Sequence, residues 1–406
     1  MIDTRNQWLT ELARLSALIR SLNLSAGKDF AYVDRPPGGP VFNADAYNLS
    51  NSPPHNQIVV DAIDILQGRM PEEAIRKLIG ELTFRQTYGA FSELVVYKWL
   101  GNAKIDFTPQ VPMTAFDVLN PNGSIIDGRM ILANNKAVFF DIKGFGFHAH
   151  KIKILQDRLE EALTGKRVLI EGAWDVSIES LQELLDFDGF SKLVQDLQGS
   201  AVVRRGRLEF RTQDPRPVTV SSHSADPLAL ANENKAYPLR FAAQYTRNGP
   251  FMLVFVIHPW FSQGELHQNF VGFVDRFAKE LARLAFLSFR NDPTVVEGVP
   301  ASDAAKLLSG LVFLNGWPAE GTDAPRPRPF CRIYLNPIAT HPLTRSDFSS
   351  IEATFGDDVV VEEIADDAPP VRQPKGRRFA LRIVAALLAL AGASAIFVIF
   401  KKATIF

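Results

Sequence analysis

A single cysteine, Cys331, stands among 406 residues. One thiol excludes both a disulfide framework and a cysteine zinc site, and it fits a reducing compartment. An excess of charge of one sign is also lacking: 44 Lys and Arg against 45 Asp and Glu leave a formal net charge of −1. The whole protein therefore offers no steering toward phosphate, and any nucleic-acid surface has to be local. Nor is a signal peptide expected. After Met1 a helical stripe of Trp8, Leu12, Leu15 and Ile19 is broken by Arg14 and Arg20, which suits an accessory helix better than a targeting segment.

What is present is a globular composition, 46% hydrophobic and 22% charged, sufficient for one or two domains with additions. The chemistry concentrates between Ser124 and Gly146. SIIDGRM and KAVFFDIKGFG, separated by a polar break at Asn134 and Asn135, read as two neighbouring strands joined by a tight turn. Alternation along the second strand puts Asp141 and Lys143 on one face and Ile142 on the other. Asp127 lies one strand away. The same kind of triplet occurs at Glu233-Asn234-Lys235, but in a polar stretch without a strand pattern. Asp141 instead follows the apolar run Ala137-Val138-Phe139-Phe140, where carboxylates are costly to bury unless a cation or hydrogen bonds compensate.

A third acid lies upstream. Phe84 to Leu100 carries Phe91, Leu94, Val95, Trp99 and Leu100 at helical spacing, with Glu93 beside that stripe. Gly101 is expected to stop the helix, and Lys104 to Val111 to enter the sheet. Glu81, twelve residues before Glu93, is a rival acid if one helix carries both.

Helix with Glu, strand, strand with Asp, strand with Asp-x-Lys: in this order the residues resemble the PD-(D/E)xK nuclease superfamily, the restriction-endonuclease-like fold. The resemblance covers roughly residues 80 to 172. It departs in Ile126 where a Pro is usual before the Asp, and in Asp141 where Glu is commoner. It implies an α/β fold with a mixed central sheet flanked by helices. It also implies Mg²⁺, or Mn²⁺, held by Glu93, Asp127 and Asp141, with Lys143 orienting or activating the attacking water. The expected activity is metal-dependent hydrolysis of phosphodiester bonds, of DNA before RNA. The alternative is a catalytically inactive nuclease fold that binds nucleic acid or a protein partner.

The remaining chain is expected to support that core. Residues 1–75 read as an N-terminal helix and an extended arm rich in Pro, Asn and Gly, with His55 a surface loop residue. Residues 76–345 read as the nuclease-like core, with about 150–245 an insertion. After Gly146 an amphipathic helix carries His148, His150, Lys151 and Lys153; the two lysines are the candidates for substrate contact. AVVRRGRLEFR reads as a basic hairpin about Gly206, whose Arg204, Arg205 and Arg207 are further candidates for phosphate. Gln244 and His258 are lesser candidates, at a cleft and at a strand end.

Residues 346–378, acidic and then Pro-containing and basic, read as a linker. Ile383 to Phe400 carries no charge and spans about 27 Å as a helix, enough for a hydrocarbon core. Residues 379–402 are therefore expected to be a single-pass C-terminal anchor in the lipid bilayer. Lys375, Arg377, Arg378 and Arg382 outnumber Lys401 and Lys402, which places the catalytic domain on the cytoplasmic side. A protein partner or a homodimer is compatible with this arrangement.

Overall fold

The computed structural model describes residues 9–10, 13, 53–82, 87–145, 148–172, 176–206, 208–214, 226–257, 270–316 and 330–366. Residues up to Ile364 form one compact unit, and Ala365–Phe406 a second. The expected anchor, the arm before residue 53, Arg207 and His258 lie outside the described residues. Among the described residues no helix is long and apolar enough to cross a membrane.

The fold is α/β, with a seven-stranded mixed sheet. Helices α1 (Pro53–Leu66), α2 (Glu72–Glu81) and α3 (Thr87–Asn102) lead into the antiparallel strands β1 (Asp106–Met113), β2 (Ser124–Ile131) and β3 (Ala137–Phe145). The turn between β2 and β3 is tight because Asn134 and Asn135 both adopt left-handed backbone, at φ 62° and 59°. Asparagine tolerates this region better than other non-glycine residues. A second sheet follows. It comprises α4 (His148–Ala162), β4 (Arg167–Gly172), α5 (Ile178–Leu185), α6 (Phe187–Gly199), β5 (Val202–Arg205) and β6 (Leu208–Gln213), with strand order β4-β6-β5.

The chain returns through α7 (Pro227–Glu233) and a 3-10 segment, Pro238–Gln244, to β7 (Phe251–Ile257), α8 (Phe270–Leu287), the small ribbon β8 (Val295–Val296) and β9 (Val299–Pro300), α9 (Ala301–Leu307), β10 (Leu308–Asn315) and β11 (Cys331–Leu335). It closes on α10 (Ser349–Phe355) and β12 (Val359–Glu363). The large sheet runs β1-β2-β3-β7-β10-β11-β12. Strands β3, β7 and β10 are parallel, so β7 and β10 sit at the centre with both faces covered. Every residue of those two strands is buried, as their unbroken apolar runs require.

Two cores flank the sheet. Val138, Phe140 and Ile142 face a layer built by α1, α2, α3 and α10. Phe139, Phe145, Leu253 and Phe255 face a layer built by α7, α8 and α9. The inserted elements have their own core around Leu155, Leu159, Val168, Leu193 and Phe210.

Several expectations are corrected. The core begins at Pro53 rather than at residue 76, because α1 and α2 supply Ile58, Ile63, Ile75 and Ile79 to the first layer. His55 is not a surface residue: it is buried in the first turn of α1, 5.7 Å from the Phe91 ring. The separately packed insertion spans 148–213, since α7 and the 3-10 segment belong to the main second layer. Residues 346–363, expected to be linker, form α10 and the seventh strand. Val359 and Val361 turn inward and Val360 outward, an alternation masked by the surrounding acids.

Gly101 does not end α3, which continues to Asn102. It is there for close approach: a Cβ would lie 2.6 Å from Ile65 Cδ1 of α1.

Candidate active site

The site forms where β2 parts from β3. Their ladder ends at Gly128 opposite Phe140, so the next residues in antiparallel register are Asp127 and Asp141. The β1–β2 ladder is also interrupted here. Pro109 pairs with Gly128 and Val111 with Ile126, while Gln110, opposite Asp127, pairs with nothing and has φ 48°. A left-handed non-glycine residue within a strand bends and twists it. The consequence is visible in the packing: Met130 of β2 belongs to the α1–α3 layer, and Ile126 to the α7–α8 layer. Asp127 lies at the crossover.

Freed from both ladders, Asp127 is held by other groups. Its main-chain carbonyl accepts from the Tyr97 hydroxyl at 2.8 Å, and its Oδ2 accepts from the Ile142 N–H at 2.6 Å. Tyr97 stands one turn after Glu93 on α3 and stacks on Phe107 of β1, with ring centroids 5.7 Å apart. Helix α3 thus brings Glu93 to the same place.

Asp141 is buried, and its Oδ2 is ion-paired with the Lys143 ammonium without a well-aligned hydrogen bond. The Lys143 ammonium in turn lies 5.1 Å from the centre of the Phe241 ring, in the 3-10 segment. Tyr245, which follows that segment, is buried and donates to the Pro238 carbonyl at 2.5 Å. Its phenol is pushed well above its ordinary range by burial and by the charge of Asp141.

The carboxylates interact electrostatically. Burial, then Glu81 and Asp141, push Glu93 up to about 7, against opposing pulls from Lys143 and Tyr97. Burial, then Asp141 through its charge and a hydrogen bond, then Glu93, hold Asp127 well above the usual carboxylate range, again opposed by Lys143. The Tyr97 phenol is raised by burial and by the negative charge of Glu93, Asp127 and Asp141. Two carboxyls raised in part by the charge of a third acid, beside one ammonium, is an arrangement common at catalytic centres. Glu81 also contributes, though not from the same helix: it ends α2, while Glu93 lies within α3.

The donor set suits a hard divalent cation in kind: three carboxylates, with Glu93 Oε2 buried and without a hydrogen-bond partner. As the side chains are placed, no three His, Cys, Asp or Glu groups among the described residues stand in a metal-holding arrangement. Lys143 occupies one oxygen of Asp141 and the Ile142 N–H one oxygen of Asp127.

The candidate phosphate contacts are distributed differently. Lys151 and Lys153 lie in the first half of α4, directly after the Asp-x-Lys strand. Arg204 and Arg205 lie on β5 of the smaller sheet, where Glu209 and Asp196 pair with them. Gln244 ends the 3-10 segment that supplies Phe241.

Tyr97, Gln110 and Tyr245 were not singled out from the sequence. Tyr97 carried a usable signal, one helical turn from Glu93; a left-handed Gln110 carries none, because glutamine has no preference for that backbone. Comparison with protein-family models, curated proteins and solved structures gives no match for this chain.

Proposed function

We propose that this protein is a metal-dependent phosphodiesterase, a nuclease acting on DNA. The observation that carries this reading is the meeting of Asp127 and Asp141 where two ladders fail, with Lys143 on one carboxylate and Glu93 electrostatically joined to both. Glu93, Asp127 and Asp141 are the residues that would hold Mg²⁺ or Mn²⁺. When bound, the cation supplies neutralisation of charge at phosphorus and acidifies a water. Lys143 keeps an ammonium beside Asp141, suited to stabilising charge that develops on the transferred phosphoryl group. Tyr97 fixes the main chain of Asp127, Lys151 and Lys153 on α4 are proposed phosphate contacts, and Arg207 is a further candidate from the sequence.

The uncharged stretch from Ile383 to Phe400 supports a bilayer anchor over residues 379–402, with the catalytic domain on the cytoplasmic side. Held there, a nuclease would meet nucleic acid entering the cell, which points to defence against foreign DNA.

The test is hydrolysis by the full-length chain in detergent micelles, using plasmid, linear duplex, single strands and RNA with Mg²⁺ or with chelator. Cleavage that requires the metal and is lost in Asp141→Ala and Lys143→Ala supports the proposal. Absence of cleavage on all four substrates removes it. One observation favours a second reading, a non-catalytic nuclease fold that binds nucleic acid or a partner protein at the membrane: the Lys143 ammonium is already paired with Asp141.

A further inference from the structure

Lys143 does not rest on Asp141 alone. The parallel register of β3 and β7 brings Lys143 beside Phe255, and Asp141, Lys143 and Phe145 follow one another on the face turned to the α7–α9 layer. The Phe145 and Phe255 rings meet edge to face, with centroids 5.3 Å apart. Tyr237 stacks on Phe255 at 5.9 Å and meets Phe241 edge to face at 5.3 Å. Phe241 closes this series of rings, and the Lys143 ammonium lies over its face, 5.1 Å from the centre.

The segment that carries Phe241 is itself held. Leu239 and Ala242, on either side of it, are fully buried in the second layer. The Tyr245 hydroxyl donates to the Pro238 carbonyl at 2.5 Å, which ties the two ends of Pro238–Gln244 together. The ring is therefore fixed independently of the ammonium. Asp141 constrains the ammonium less: its Oδ2 is paired with Lys143 without a well-aligned hydrogen bond. A lysine ammonium is a point charge on a flexible stem, so one carboxylate fixes its distance but not its direction.

For packing beside Tyr237 a leucine would serve in place of Phe241; what leucine lacks is a face of negative potential. We propose that Phe241 is a positioning residue whose ring face, together with the Asp141 carboxylate, holds the Lys143 ammonium at one place in the site. The 3-10 segment Pro238–Gln244 is then part of the site, although it follows the inserted sheet in the chain. A cation on Asp141 would compete for the oxygen that Lys143 now occupies, and the ring gives the ammonium a second hold beside it. What the held ammonium does rests on the nuclease reading; that the ring holds it does not.

The test uses the full-length chain in detergent micelles, with phenylalanine carrying one, two or three fluorines at position 241. Each fluorine weakens the negative potential of the ring face while nearly keeping its shape. Phe241→Leu and Phe241→Trp complete the series. The first readout is the NMR signal of the Lys143 methylene next to the ammonium, identified by its loss in Lys143→Arg, and it needs neither metal nor substrate. In the parent it stands upfield under the ring current of Phe241; the displacement shrinks stepwise with fluorination and is lost in Phe241→Leu. The second readout is hydrolysis of DNA with Mg²⁺: kcat falls stepwise along the same series, by about tenfold in Phe241→Leu, at unchanged KM, and Phe241→Trp retains it. A Lys143 signal at the ordinary lysine position in the parent overturns the proposal, and so does a displacement or a kcat indifferent to the fluorines, which would leave the ring a packing role. A displacement that follows the fluorines in a chain without hydrolysis sinks the nuclease reading and leaves this one standing; hydrolysis with an undisplaced Lys143 does the reverse.

Discussion

Gln110 faces Asp127 across β1 and β2 without pairing to it, and its left-handed backbone is what keeps the two apart. For a non-glycine residue that conformation costs about 1–2 kcal/mol. Gln110→Gly removes this cost but returns up to about 1 kcal/mol of freedom to the unfolded chain. The two nearly cancel, so stability in urea is expected to stay within about 1 kcal/mol of the parent, with the site retained. Gln110→Val sets a β-branched side chain against the same backbone, and it is expected to lose about 2 kcal/mol or to move Asp127 into register. Urea denaturation of both variants distinguishes them; equal losses would show that the φ of Gln110 is unimportant.

Gly128 and Phe140, the last pair before the strands part, leave no room for a side chain. A Cβ at Gly128 would run into the Phe140 ring. Gly128→Ala is therefore expected to destabilise by about 1–3 kcal/mol through overpacking. Phe140→Leu in the same chain should recover part of that loss, because the two positions share one contact. A double variant no more stable than Gly128→Ala alone would locate the strain elsewhere.

The legible part of this fold was the part with long apolar runs. The runs that became β7 and β10 are apolar because both faces are buried, and the helix bearing Glu93 is apolar because it is buried almost all round, from Ala90 to Tyr97, rather than along one stripe. Asp127, Asp141 and Lys143 were readable because polar groups at the end of such runs conflict with their surroundings. Strand β12 was not legible: five residues, two of them Glu, at the edge of the sheet give too short an alternation. Nor was the break between α2 and α3, which placed Glu81 and Glu93 on different helices. The crossover at Gln110 depends on how two strands pair, and no local propensity encodes that.

Tyr97 acts through Asp127, so its hydroxyl should matter more than its ring. Tyr97→Phe keeps the stack on Phe107 but leaves the Asp127 carbonyl without its donor. The expected loss is about 1–2 kcal/mol of stability. Hydrolysis is expected to fall in kcat at unchanged KM, because Asp127 loses its fixed position and the substrate contacts are not touched. A Tyr97→Phe variant with full kcat would reduce Tyr97 to packing.

Glu93 should leave a signature in the pH dependence of stability. Its carboxyl is raised from 4.5 to about 7, chiefly by burial. Below 4.5 both folded and unfolded chains hold the proton, and the group costs nothing. Between 4.5 and about 7 the unfolded chain ionises first, so stability falls as pH rises; above about 7 the loss is complete. At about 1.4 kcal/mol per pH unit the shift corresponds to roughly 3 kcal/mol, and about 2 once the partial exposure of Glu93 is allowed for. Glu93→Gln, which carries no charge, is expected to be more stable than the parent by about that amount at pH 8 and equal to it at pH 4. Saturating Mg²⁺ should flatten the parent's decline, since a cation favours the ionised carboxylate. Urea denaturation of both proteins across this range, with Mg²⁺ and with chelator, measures each effect. Parallel curves for parent and Glu93→Gln would mean that Glu93 titrates as an ordinary surface acid, and that it stands too far from Asp127 and Asp141 to act with them.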